Sequence, residues 1–212
     1  MFRKEPIFKI IIFILIMLIT ASCMYIYFTF IYRPKDNLKS YFPKSTETVK
    51  YIGAFGYNYY INLATTNESN DNTEYIFTGK ALENIVGDID NDSLRLKIRY
   101  VLQGNVVVEY FDLGELLYSK FKKLTILKTN LRTGDSWKEN TTLISGEEVV
   151  VNSTVLDDSD GLVIKYSASN KDDRIIYEEI RTYKKGDFIT DIKYTSKDSD
   201  NNDFSYRIFR SN

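Results

Sequence analysis

Leu94, Leu96, Ile98 and Tyr100 alternate with Arg95, Lys97 and Arg99. A period of two residues places one face of an extended strand in a core and the other in water, and a helix cannot satisfy it. Similar β-rich runs cover Thr48 to Phe55, Tyr57 to Leu63, Glu74 to Val86, Asn105 to Phe111, Leu124 to Lys128, Glu147 to Leu156, Gly161 to Ala168, Arg174 to Tyr183, Phe188 to Thr195 and Phe204 to Phe209. Turn formers separate them, among them Asn67 to Asn72, Gly87 to Ser93, Gln103-Gly104-Asn105, Asp157 to Gly161 and Lys185-Gly186-Asp187. Only Leu113 to Phe121 carries a helical pattern, and a weak one. Many short strands joined by tight turns predict an all-β domain with a mostly antiparallel, strongly curved sheet or barrel.

A different signal occupies the N-terminus. Residues 1–9 form a basic start with Arg3, Lys4 and Lys9, followed by an uncharged stretch from Ile10 to Tyr32. As a helix those 23 residues would span about 35 Å against a hydrocarbon core of about 30 Å, so residues 10–32 are expected to meet a membrane as a signal anchor. The basic start favours a cytoplasmic N-terminus with the rest of the chain outside the cytoplasm. Thr20-Ala21-Ser22-Cys23 also resembles a lipoprotein box, which would make Cys23 a lipidation site. A third possibility is a cleaved signal peptide with release of the remainder. Residues 33–45, bracketed by Pro34 and Pro43, read as a tether, and residues 46–212 as one extracytoplasmic β-rich domain with a sizeable core.

Composition excludes more than it selects. The chain has no His, which removes Ser-His-Asp and Cys-His nucleophile systems and His metal sites. Its one Cys is Cys23, so the domain uses no disulfide. From Ser40 onward 22 basic side chains stand against 27 acidic ones, a net of −5, which argues against a nucleic-acid partner.

Three features were weighed for chemistry. Gly87-Asp88-Ile89-Asp90-Asn91-Asp92-Ser93 imitates the start of a calcium loop, but Ser93 stands where that loop needs Gly and Arg99 where it needs a closing carboxylate. It reads as an acidic hairpin turn, as do Asp157, Asp158 and Asp160, and no metal or cofactor is expected. The 17 Tyr and 13 Phe suit half-buried strands, with sugar stacking or an apolar pocket as the functional readings. A carboxylate pair of the glycosidase kind is compatible with 29 acids, yet no spacing selects two of them, so no catalytic residue is expected.

Two motifs carry a resemblance. Tyr41-Phe42-Pro43 followed by Val49-Lys50-Tyr51-Ile52-Gly53 resembles the "Y-F/Y-P-L-K-x-G-x-x-W-x-Y-x-G" opening of a family of uncharacterised exported proteins and lipoproteins of Clostridia and other Firmicutes. Ile126-Leu127-Lys128, continuing through Leu131-Arg132-Thr133-Gly134-Asp135-Ser136-Trp137, is similar to that family's "I-L-K-x-P-L-K-V-G-x-x-W", with Asn130 in place of the Pro. The resemblance covers most of residues 41–212. It implies an envelope location in a Gram-positive bacterium and no catalytic residues. Gly134 is expected to allow a tight turn, and Trp137 to open the next strand and cap the core.

These readings converge on a membrane-anchored extracytoplasmic β-domain, a noncatalytic binding or interaction module of the cell envelope. Its partner would be a protein, a cell-wall component or a hydrophobic ligand. The alternative is a carrier that holds a lipid or other hydrophobic ligand in a barrel cavity. An envelope enzyme would be signalled by two buried or cleft-lining acids close together.

Overall fold

The computed structural model describes residues 5–27, 37–53, 58–82, 95–113, 120–197 and 203–211. The chain divides into two units, Met1–Asp36 and Asn37–Asn212. The first contains helix α1 (Glu5–Ile26), whose apolar side chains from Ile12 to Ile19 and from Met24 to Tyr27 all stand exposed. Of the expected span 10–32, this helix covers Ile10 to Ile26, about 25 Å at 1.5 Å per residue. That is shorter than the hydrocarbon thickness of about 30 Å. Residues 28–32 lie outside the described residues, among which no helix is long and apolar enough to cross a membrane.

The second unit is all-β. Its strands are β1 (Val49–Gly53), β2 (Asn58–Glu68), β3 (Asn72–Leu82), β4 (Arg95–Gln103), β5 (Val106–Leu113), β6 (Lys123–Lys128), β7 (Ser136–Thr142), β8 (Glu148–Asp157), β9 (Leu162–Ser169), β10 (Ile175–Lys184), β11 (Phe188–Lys197) and β12 (Asp203–Ser211). They form one 12-stranded antiparallel sheet in the order β6-β5-β4-β3-β2-β1-β12-β11-β10-β9-β8-β7. Every strand therefore pairs with its neighbour in sequence, except that β12 also closes onto β1 and leaves β6 and β7 as the two edges. The result is a nearly closed barrel.

Alternation explains the wall. In β9 the burial pattern switches strictly at each residue, with Leu162, Ile164, Tyr166 and Ala168 inside. The predicted strand around Leu96, Ile98 and Tyr100 is β4, with those three residues buried. Strand β7 has no counterpart among the predicted runs because Lys-Glu-Asn-Thr-Thr after Trp137 lacks apolar alternation. The weak helix expected over Leu113 to Phe121 begins inside β5 and ends at the bridge residue Phe121, while 114–119 lie outside the described residues.

The two edge strands converge at one end and separate toward the other. Phe121 bridges to Leu143, Lys122 N–H donates to the Thr142 carbonyl at 2.9 Å, and Ile144 N–H donates to the Lys120 carbonyl at 2.6 Å. Farther along, a side chain replaces the ladder: Glu139 accepts from Thr125 N–H at 2.7 Å and from Thr125 Oγ1–H at 2.9 Å. An edge strand with free N–H groups is an invitation to aggregate, and this carboxylate covers one of them.

The stretch expected to be a tether, 33–45, enters the core from Asn37 onward. Leu38–Tyr41 forms a 3-10 turn, and Leu38, Tyr41 and Phe42 are buried. The Phe42 ring stacks on Tyr75 at 3.8 Å and on Phe188 at 4.4 Å, and Tyr100 meets Phe188 edge-on at 4.7 Å. Apolar burial of this kind holds the segment, which charge and proline alone had marked as polar linker. At Gly79 the paired strands β2 and β3 approach so closely that a Cβ would stand 1.7 Å from the Tyr60 carbonyl oxygen.

Candidate functional site

Inside the barrel, the registers align one row across six strands: Trp137, Ser153, Tyr166, Glu179, Tyr194 and Tyr206. Glu179 thus sits among aromatic rings. Two residues along β10, Arg181 also points inward and is fully buried. It reaches across the interior to β5, where Nη1 and Nη2 donate to the two Glu109 oxygens at 2.8 and 2.9 Å. Its Nε donates to Glu179 Oε1 at 2.9 Å, and Tyr177 Oη–H donates to Glu179 Oε2 at 2.6 Å. Burial raises the Glu179 pKa above its usual value; the Arg181 charge and the Tyr177 bond oppose that shift without cancelling it. Tyr166 Oη–H donates to the Ile126 carbonyl of β6 at 2.6 Å and shares a 2.9 Å bond with Tyr183 Oη.

Glu109 and Glu179 are thus two buried acids held by one guanidinium. Their oxygens face Arg181 and Tyr177 rather than an opening, and both residues are at most 2% exposed. The arrangement ties β5 to β10 across the interior. At the Phe42 end, an enclosed pocket of about 10 Å³ lies among Tyr51, Tyr59, Phe77, Ile98, Tyr100 and Ile189, which is about the room for one water molecule.

Outside, the same four strands β9 to β12 form a groove of about 520 Å³. The registers place Lys165, Ile180, Lys193 and Arg207 in one row on successive strands, and Ser167, Glu178, Thr195 and Ser205 in the next. Lys165 Nζ lies 2.6 Å from Glu178, and Arg207 Nε lies 2.7 Å from Asp191. Ser167 Oγ–H donates to Glu178 at 2.8 Å, and Thr195 Oγ1 and Ser205 Oγ are 3.2 Å apart. Burial pushes the Glu178 pKa up, but the bonds from Lys165 and Ser167 prevail and hold it below its usual value. Lys193 is exposed and has no hydrogen-bond or ion-pair partner among the described residues.

The residues singled out in the sequence lie elsewhere. Gly134 has φ +92° and donates its N–H to the Val155 carbonyl at 2.9 Å, while Asn130 has φ +62°, a value closed to proline. The Trp137 ring is 9% exposed, meets Tyr166 edge-on at 6.4 Å and lies 5.1 Å from Lys128 Nζ. Asp157 accepts from Ser159 N–H at 3.1 Å, Asp158 from Thr133 Oγ1–H at 2.7 Å, and Asp160 from Lys184 Nζ at 2.6 Å, so all three brace turns. Cys23 is a free, exposed thiol on α1. The acidic run Gly87 to Ser93 lies outside the described residues. Among the described residues no group of three or more Cys, Asp or Glu is placed to hold a metal ion. Neither the interior triad nor the outer row was picked out from sequence, although Glu179 and Arg181 alternate in phase with Tyr177 and Tyr183. Comparison with models of known protein families, with curated proteins and with solved structures finds no match to this chain.

Proposed function

We propose that this chain is a membrane-anchored extracytoplasmic β-domain that acts as a noncatalytic binding module of the cell envelope, with the outer face of β9 to β12 as its contact surface. The observation that carries the reading is a contrast. The interior is occupied by rings and an ion triad and offers an enclosed space of about 10 Å³, whereas the outer groove offers about 520 Å³ of polar, charged surface. A carrier of hydrophobic ligands requires the reverse distribution. Anchoring is supported by α1, whose exposed apolar side chains from Ile12 to Ile19 call for an apolar surrounding.

Two measurements on the full chain test this. External protease applied to intact cells should cleave the β-domain; protection until the membrane is breached would overturn the location. Native mass spectrometry from a non-ionic detergent should give the apo mass. A stoichiometric hydrophobic molecule lost on denaturation would overturn the module reading in favour of a carrier.

A further inference from the structure

Like charges placed directly opposite each other on neighbouring strands destabilise a sheet, yet Lys193 of β11 faces Arg207 of β12. Lys165 stands in the same row two strands away, about 10 Å at the usual spacing. The domain around them is acidic overall, with 22 basic and 27 acidic side chains from Ser40 onward. A basic row here is therefore a local departure from the composition. It is also incompletely neutralised. Glu178 answers Lys165 and Asp191 answers Arg207, so the groove holds three cations against two carboxylates and Lys193 is the excess.

The next row supplies donors. Thr195 Oγ1 and Ser205 Oγ share one hydrogen bond, which uses one hydroxyl proton and leaves the other free. Ile180, half-buried between Lys165 and Lys193, gives a short apolar floor.

We propose that this groove binds an extended polar ligand through an internal phosphodiester, with Lys193 as the counter-ion and the free hydroxyl of the Thr195–Ser205 pair as a donor. The inference deepens the binding-module reading and rests on it. One excess positive charge matches one negative charge. A phosphate monoester brings about two and would leave an uncompensated charge beside Glu178 and Asp191. Lys193 lies within the row rather than at its end, so the anion belongs inside the ligand, and a diester continues in both directions from its phosphorus. Lys165 and Arg207 flank it, and the carbon chain passes over Ile180.

The test uses the full chain in a non-ionic detergent at low salt, titrated with bis-glycerol phosphate as the diester, glycerol 3-phosphate as the monoester and a galacturonate oligomer as an internal carboxylate. The diester should bind most tightly, and Lys193→Gln should weaken it about tenfold or more, while Lys193→Arg stays within about threefold. The distant Lys185→Gln should leave binding unchanged. Because Lys193 is exposed and opposed by Arg207, its loss should leave the urea midpoint in place or raise it, which separates lost binding from lost folding. Equal affinity of wild type and Lys193→Gln, or a monoester that binds as tightly as the diester, would overturn the proposal. A galacturonate oligomer that binds in the diester's place and depends on Lys193 would overturn the phosphodiester assignment while leaving the binding-module reading intact. An apo groove that ignores all three probes, in a chain that carries a hydrophobic molecule by mass, would overturn both.

Discussion

Replacing Arg181 by Met removes one cation and leaves Glu109 and Glu179 facing each other inside the barrel. Four contacts are lost, the Glu109 pair at 2.8 and 2.9 Å and the Glu179 pair at 2.9 and 2.7 Å. Breaking a buried ion pair on one side costs about 3–5 kcal/mol, against a total stability of about 5–15 kcal/mol for a domain. An independent bound comes from protonation. A buried carboxylate without a cation can escape its charge by binding a proton, at about 1.4 kcal/mol for each pH unit above the ordinary Glu value near 4.3. The ceiling is therefore about 4 kcal/mol per carboxylate at pH 7.5 and about 1 kcal/mol at pH 5. The deficit of Arg181→Met should shrink by more than half over that interval. Urea unfolding of the full chain, followed by Trp137 fluorescence at both pH values, reads this directly. With a slope of about 2 kcal/mol per molar, the midpoint should fall by about 2 M at pH 7.5. Combining Arg181→Met with Glu109→Leu and Glu179→Leu should restore most of the loss, since an apolar replacement of a buried triad is often neutral or better. A loss below about 1 kcal/mol at pH 7.5, or one that does not diminish at pH 5, would refute the account of the triad as a cross-barrel tie.

Further expectations concern single positions. Because burial raises the Glu179 pKa above its model value of 4.5, the folded state holds that proton more firmly than the unfolded one, so its contribution to stability falls as pH rises from there through the folded value. Glu179→Gln should abolish that part of the slope, and a stability difference independent of pH would refute it. Phe42→Ala should cost about 3–5 kcal/mol in urea unfolding, as for a core ring; a cost near zero would return residues 38–42 to the status of a linker. Gly79→Ala should destabilise far more than Gly134→Ala, because the first meets the Tyr60 carbonyl at 1.7 Å and the second meets open space, with only the strain of φ +92°, about 1–2 kcal/mol. Thermal unfolding of the two variants side by side gives the ranking.

The fold class was legible because alternation is a local signal. Leu96, Ile98 and Tyr100 announce β4 without knowledge of anything else in the chain. Interior charge is less legible for the same reason. In Tyr177 to Tyr183 the inward set is Tyr, Glu, Arg, Tyr and the outward set Glu, Ile, Thr, so the two faces are about equally polar and the phase is undetermined. Only the partner on β5, 72 residues away, settles which face is inside. The outer basic row is invisible for a related reason. Lys165, Lys193 and Arg207 are far apart in sequence and meet through the registers of three strand pairs. Phe42 was missed because Pro43 and neighbouring charges mark a linker, while its stacking partners Tyr75 and Phe188 lie far downstream.

All but one of the strand pairings join consecutive segments of chain, and the exception is β1 with β12. That single joint closes a loop of about 150 residues, at an entropic cost of about 4–5 kcal/mol that no earlier pairing relieves. As the chain is synthesised from its N-terminus, β1 to β6 can hairpin in order, but β1 waits with one side bare until the last strand emerges. The domain is then a zipper whose final tooth is made last and engages its first, so slow closure and premature association through β1 are the kinetic hazards to expect during its biogenesis.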